Sequence, residues 1–398
     1  MNAVVQTSHS PIFSSPILIV DDDALNCRFL EKMLRSRGFH NLHSVGSAAE
    51  ALSLLPGLNP ALVILDIIMP DMDGYDCCAA IRKLEAFREL PILVQTVIVD
   101  PMLRVKAFTM GATDLLSKPV YPEELCARVM VHLEKHYSLN QLQLYKDRIE
   151  QELETARNLQ LTIFPSSDDI EDIKQRYQLD LASYFKPSSE IGGDFWGARA
   201  LFLDQTTLWM VDFSGHGVAA ALNAFRLQAY LTEHSWLTAG PGEYLSHLND
   251  KLSNLLPPGQ FATMFYGIIN TKTDELSYAC ACTPHPIILR KKTGKAEIID
   301  GSGNLLGINT HTYPTQSINF SPGDVLVLYS DALIETCKPH GSFLDAQAIA
   351  TLLEKYPENA SSDNYCASLM QHLLQYFFQH VGDVSPDDDL TLVVCARK

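Results

Sequence analysis

Four short apolar runs in the first third of the chain each lead into a residue capable of chemistry, and this repetition limits the fold more than any other feature. Pro16–Val20 runs into Asp21-Asp22-Asp23, Ala61–Leu65 into Asp66, Pro91–Val94 toward Thr96, and Leu115–Leu116 toward Lys118-Pro119. Continuous apolar runs of this length fit strands buried on both faces. The stretches between them have helical spacing: Ala24–Arg37 repeats Leu25, Phe29, Leu30, Met33 and Leu34 and closes at Gly38. Strands alternating with helices predict an α/β doubly wound parallel sheet. Such sheets form their sites outside the carboxyl ends of the strands, so Asp21, Asp22, Asp66, Thr96 and Lys118 should converge there.

That convergence predicts a phosphoryl-accepting site. Asp21, Asp22 and Asp66 would hold one Mg²⁺, because hard divalent ions prefer carboxylate oxygens. Asp66 would be the nucleophile and phosphoacceptor. The Thr96 hydroxyl and Lys118 ammonium would stabilise the added charge. The pieces LIVDDD, LVILDIIMPDMDGYD, Thr96 and GATDLLSKP resemble a two-component receiver domain over residues 16–135, after a flexible N-terminus at 1–15. The resemblance implies a cognate histidine kinase or phosphotransfer protein as donor. Leu115 stands where receivers usually carry an aromatic, and Val97-Ile98-Val99 replaces the usual small-residue turn.

Residues 136–175 predict a connecting amphipathic helix. Leu142, Ile149, Ala156 and Ile163 recur every seven residues, with Leu139, Tyr145, Leu153 and Leu159 in neighbouring rows. That spacing suits a coiled-coil seam and a homodimer, in which the polar Glu152 and Gln160 are flaws. Pro165 and the polar stretch Ser166-Ser167-Asp168-Asp169 should end the helix. The segment ELETARNLQLTIFP resembles the helix before the catalytic domain of bacterial stress- and sporulation-type phosphatases. By that resemblance it would relay the sensor state to the active site.

In residues 176–398, short strands alternate with helices at Ala219–Leu231, Gly242–Leu256, Asp345–Tyr356 and Asn364–Phe378. The pattern predicts an α+β two-sheet sandwich. Acids lie at strand edges: Asp194 after Gly192-Gly193, Asp212 after Leu208–Val211, Asp331 after Val325–Tyr329, and Asp387–Asp389 before Leu390–Cys395. One such Asp is an ordinary turn residue; the set predicts a site for Mg²⁺ or Mn²⁺. The stretches IGGDFWG, WMVDFSGHG, FATMFYGII, SPGDVLVLYSDALIE and DDDLTLVVCARK resemble the PPM superfamily of metal-dependent serine/threonine phosphatases, in its bacterial partner-switching branch. The resemblance implies that Asp194 and Asp212, with the Phe213 carbonyl, hold one ion. Asp212 would bridge to a second, held also by Asp331 and by Asp388, with Asp389 in reserve. Asp212 thereby counts among the catalytic residues, because two close divalent ions can activate a water for in-line attack on phosphorus. Gly197, Ala332 and Thr283 depart from the usual pattern, and His216 and His285 fit structural roles.

Acids outnumber bases 47 to 30, a net charge of −17. That disfavours nucleic acid and anionic membrane as partners. No apolar run approaches the ~20 residues of a spanning helix, and residues 1–15 lack the features of a signal peptide. Nine cysteines without a paired spacing fit buried thiols in a reducing cytoplasm. The sequence therefore predicts a cytoplasmic response regulator whose Asp66 phosphorylation controls a phosphatase acting on a phosphorylated anti-anti-sigma-type protein. Its alternative is an inactive, phosphatase-like adaptor that binds a stress sigma factor and promotes its proteolysis.

Overall fold

The computed structural model describes residues 11–97, 101–202, 204–233, 239–336, 344–356, 364–382 and 386–398. The chain divides between Ile149 and Glu150 into two compact units. In the first, strands β1 (Ile17–Val20), β2 (Leu42–Val45), β3 (Leu62–Asp66), β4 (Ile92–Thr96) and β5 (Asp114–Ser117) form one parallel sheet in the order β2-β1-β3-β4-β5. Helices α1 (Ala24–Arg35), α2 (Ala48–Leu58), α3 (Gly74–Lys83) and α4 (Pro101–Thr109) connect them. Every residue of β1, β3 and β4 is buried, as their apolar runs ILIV, LVIL and ILV lead one to expect, with the polar Asp66, Gln95 and Thr96 buried at the strand ends.

Two cores flank this sheet. Leu18, Val20, Val63 and Leu65 face α2 and α3, whereas Ile17, Ile19, Leu62 and Ile64 face Leu30, Met33 and Leu34 of α1. The helical period of α1 is thus correct but its buried stripe is narrower than expected. Leu25 and Phe29 point outward, 73% and 54% exposed. Strand β2 has no apolar signature, because His43 and Ser44 sit on a sheet edge and stay exposed. Ile98 and Val99, expected to replace a small-residue turn, lie outside the described residues.

Helix α5 runs from Pro122 to Gln160. The sequence places a helical break at Ser166–Asp169; the structure makes it a start. Ser166 caps helix α6 (Ser167–Tyr177) through the Asp169 N–H, and the Asp169 carboxylate accepts from the Ser166 N–H in return. This reciprocal capping box satisfies two helix-end donors. Ile163, expected at the seam, lies past α5 in a 3₁₀ turn and is buried among Phe195, Trp209 and Leu227. Leu139, Leu142, Tyr145 and Ile149 remain exposed.

Two antiparallel sheets build the second unit. One has strands β6 (Leu179–Lys186), β11 (Ile287–Leu289), β12 (Ala296–Ile298), β14 (Val325–Tyr329) and β15 (Leu390–Arg397), in the order β12-β11-β14-β15-β6. The other has β7 (Phe195–Phe202), β8 (Gln205–Phe213), β9 (Ala262–Asn270), β10 (Glu275–Ala281) and β13 (Gln316–Asn319), in the order β13-β10-β9-β8-β7. Trp196, Leu208, Met210 and Phe265 of one sheet meet Leu326, Leu328, Val393 and Cys395 of the other, which makes a sandwich core. Helices α7 (Val218–Glu233) and α8 (Pro241–Leu255) cover one outer face. The short α9 (Ala332–Glu335), with α10 (Ala346–Glu354) and α11 (Tyr365–Val381), covers the other. The described cysteines are free thiols, all but Cys282 buried. No helix among the described residues is long and apolar enough to cross a membrane.

Candidate phosphoacceptor and metal sites

At the carboxyl edge of the parallel sheet, Asp21 follows β1, Asp66 ends β3, Thr96 ends β4 and Lys118 follows β5. Asp21, Asp66 and Thr96 are buried, and Asp22 is exposed. Lys118 Nζ stands 2.7 Å from Asp66 Oδ2 and 3.5 Å from Asp21 Oδ2. Asp21 is held by the Asp23 N–H at 2.9 Å and by the Asn26 side-chain amide. Asp21, Asp22 and Asp66 each offer a carboxylate oxygen within 4.8 Å of the others. Burial raises the proton affinity of Asp66 above the usual carboxylate range, against the opposing hydrogen bond from Lys118. Three acids face one ammonium, a surplus of negative charge that a divalent cation would neutralise. Leu115 is buried in the core beside β4.

In the second unit the acids come from paired strand ends. Asp194 precedes β7 and Asp212 is the penultimate residue of β8, with Phe195 opposite Val211. Asp331 follows β14, and Asp388 and Asp389 precede β15, with Tyr329 opposite Leu392. The two sheets bring these ends together. Thr391 of β15 donates from Oγ1 to Asp194 Oδ2 at 2.5 Å, whereas Asp194 Oδ1 is buried with no hydrogen-bond partner.

All four candidate ligands hold protons more tightly than ordinary carboxylates. Asp194 is raised by burial and then by repulsion from Asp212. Asp212 is raised by burial and then by repulsion from Asp331. Burial, then Asp388 and Glu335, push Asp331 up to about 6. Asp388 is raised mainly by burial. Mutual repulsion of this kind is relieved by taking up protons or by a cation between the carboxylates. The acids are less tightly drawn in than the receiver triad, the one group of three among the described residues that meets the 4.8 Å spacing. The Phe213 carbonyl lies beside them, 3.0 Å from where a Cβ on Gly193 would stand.

Asp388 and Asp389 are adjacent but differently employed. Asp389 is buried, and its Oδ1 accepts from the Ser188 N–H at 2.8 Å. Its Oδ2 accepts from the Gly193 N–H at 2.6 Å. A Cβ on Gly192 would come within 2.3 Å of this carboxylate, which explains the glycine. Asp388 accepts only the Asp389 N–H, at 2.8 Å. Its half-buried carboxylate is otherwise uncommitted among the described hydrogen bonds.

Sequence reasoning missed what holds the Asp194 loop from its other side. Gln160, the last residue of α5, is buried. Its Nε2 donates to the Gly192 carbonyl at 2.6 Å and its Oε1 accepts the Gly192 N–H at 3.1 Å. One turn earlier, Arg157 Nε donates to the Glu190 carbonyl at 3.1 Å and Nη2 meets the Glu190 carboxylate at 3.2 Å. The polar residue in the predicted seam is therefore a clamp on the loop that carries Asp194. His216 is exposed, and His285 accepts the Gly301 N–H at 2.9 Å while its carbonyl accepts Tyr329 Oη at 2.8 Å.

Comparison with known proteins divides the chain the same way. Residues 17–130 match the response regulator receiver domain family, and residues 204–398 match the stage II sporulation protein E (SpoIIE) family. The transcriptional regulatory protein YvrH of Bacillus subtilis is 32% identical over 124 residues, 31% of this chain and 51% of YvrH. The DNA-binding response regulator MtrA of Mycobacterium tuberculosis is 38% identical over 120 residues, 30% of this chain and 51% of MtrA. The chain spans about half the length of these curated relatives. The SiaA-PP2C domain of Pseudomonas aeruginosa superposes with a TM-score of 0.55 at 18% identity, covering 64% of this chain and 98% of that domain, which establishes the shared fold. The chain thus joins a response regulator receiver domain to a domain of the SpoIIE family.

Proposed function

We propose that phosphorylation of Asp66 controls a metal-dependent serine/threonine protein phosphatase in the second unit, within a cytoplasmic partner-switching pathway. The substrate class is a phosphorylated anti-anti-sigma-type protein, and the phosphodonor is a histidine kinase or phosphotransfer protein. One observation carries the enzymatic proposal. Asp194 has a buried oxygen without a partner, beside three further acids of raised proton affinity.

In the receiver, Asp21, Asp22 and Asp66 suit one Mg²⁺. An Asp66 oxygen would attack the donor's phosphorus, forming the O–P bond as the donor's own bond to phosphorus breaks. Lys118, already 2.7 Å from Asp66, would then pair with the phosphoryl oxygens, and the Thr96 hydroxyl would donate to them. In the phosphatase unit, Asp194, Asp212 and the Phe213 carbonyl suit one Mn²⁺ or Mg²⁺, and Asp212, Asp331 and Asp388 suit a second. When bound, such a pair supplies a water made reactive near neutral pH and neutralises phosphoryl charge. Thr391 would orient Asp194, and Asp389 would hold its loop.

Arg157 and Gln160 give the relay a physical form, because both grip residues 190–192 just before Asp194. The exposed Leu139, Leu142, Tyr145 and Ile149 support a homodimer through α5. The deciding experiment measures Mn²⁺-dependent phosphate release from a phosphoserine protein by wild type, Asp66→Ala and Asp212→Ala. Wild type should turn over, Asp212→Ala should fall by several orders of magnitude, and Asp66→Ala should lose its response to acetyl phosphate. A folded wild type without turnover, binding a sigma factor instead, would mark an adaptor.

A further inference from the structure

In the receiver unit, Asp21 is held from behind by a short chain of side-chain amides. Its Oδ1 accepts the Asp23 N–H at 2.9 Å, and its Oδ2 accepts from Asn26 Nδ2. An amide nitrogen carries two hydrogens, and Gln95 Oε1 lies 3.5 Å from the same Asn26 Nδ2. Gln95 stands opposite Asp66 in the register of β3 and β4 and is fully buried. Gln95, Asn26 and Asp21 thus form a line from the interior of the sheet to the candidate Mg²⁺ site.

Folding alone gives little reason for an amide at this position. The residues of β4 before it, Ile92, Leu93 and Val94, are aliphatic. Gln95 Nε2 is buried with no hydrogen-bond partner, and leaving a buried donor unmet is costly. The contact to Asn26 is at the long limit of a hydrogen bond, so it repays little of that cost. A leucine here would avoid the cost, and the half-buried Asn26 could turn its free hydrogen to solvent. The aim of the Asp21 carboxylate does give a reason. Groups that orient a metal's ligands typically set its affinity by about ten- to hundredfold. We propose that Gln95 is a positioning residue for the receiver's divalent cation. It steadies the Asn26 amide, which in turn keeps the Asp21 carboxylate facing Asp22 and Asp66. The inference rests on those three acids binding Mg²⁺, which the wild-type titration tests by itself.

The test titrates Mg²⁺ into the full chain labelled with ¹⁵N-isoleucine. The amide resonances of Ile67 and Ile68, the two residues after Asp66, report this site alone and are assigned with Ile67→Val and Ile68→Val. Wild type should shift saturably. Gln95→Leu should weaken Mg²⁺ binding about tenfold, with a melting temperature no lower than that of wild type. Gln95→Met takes its place if the branched side chain does not fold. Asn26→Ala should lose at least as much affinity, and adding Gln95→Leu to it should lose no more, because Gln95 acts through Asn26. No saturable shift in wild type removes the Mg²⁺ site and the inference with it. Where wild type binds, three results overturn the inference alone: an unchanged affinity in Gln95→Leu; a loss that adds in full to that of Asn26→Ala; or a fall in melting temperature or loss of the fold in both Gln95 variants, which marks a structural residue.

Discussion

At the scale of single residues, Asp388 and Asp389 should behave oppositely on substitution. Asp389→Ala leaves the buried Gly193 and Ser188 N–H groups without their acceptor. It should lower stability by about 3 kcal/mol, read from urea denaturation. Asp388→Ala removes a carboxylate that mainly repels its neighbours, so stability should change by less than about 0.5 kcal/mol while phosphate release disappears. Asp331 predicts a pH effect. Its folded value rises from the ordinary 3.8 to about 6, through burial and then repulsion. Between those values the folded state keeps a proton that the unfolded state has lost, so stability falls as pH rises through this window. In metal-free protein, wild type should lose on the order of 2 kcal/mol relative to Asp331→Asn between about pH 4 and pH 6.5, and Mn²⁺ should restore it at the upper end. Parallel melts of the two proteins check both points.

At the scale of elements, the end of α5 is the part most open to a decisive substitution. Gln160→Leu keeps the side-chain bulk and removes both bonds to Gly192. It should cost about 1–3 kcal/mol and uncouple phosphate release from the receiver, so that acetyl phosphate no longer changes the rate. Elements of this kind were legible in sequence only where burial leaves a pattern. Strands β1, β3 and β4 stood out because both faces are buried, and Asp21, Asp66 and Thr96 at their ends marked the site edge. Strand β2 did not, because half of it faces solvent. Ser166–Asp169 reads equally as a helix break or a helix start until the chain after it is seen to be helical. Gln160 looked like a flaw in a heptad because its partner, Gly192, is 32 residues away.

At the scale of the molecule, the chain joins two units, each with its own core, through one 39-residue helix. If exposed Leu142 and Ile149 form a parallel seam, light scattering should give twice the 44.3 kDa chain mass in the presence of beryllofluoride and Mg²⁺. Leu142→Glu combined with Ile149→Glu should return it to one chain mass. The acids of the second candidate site were legible in sequence only as residues at strand edges. Their division of labour was not, because adjacent aspartates look alike until the donors around them are located. The paired bonds at Gln160, 2.6 and 3.1 Å long, have a consequence for how a signal would pass. A shift of about 1.5 Å, one residue's rise, that drew the amide directly away from Gly192 would carry it beyond reach of both partners together. Each copy would then respond by snapping between two settings, and intermediate outputs in the cell would reflect how many copies have switched.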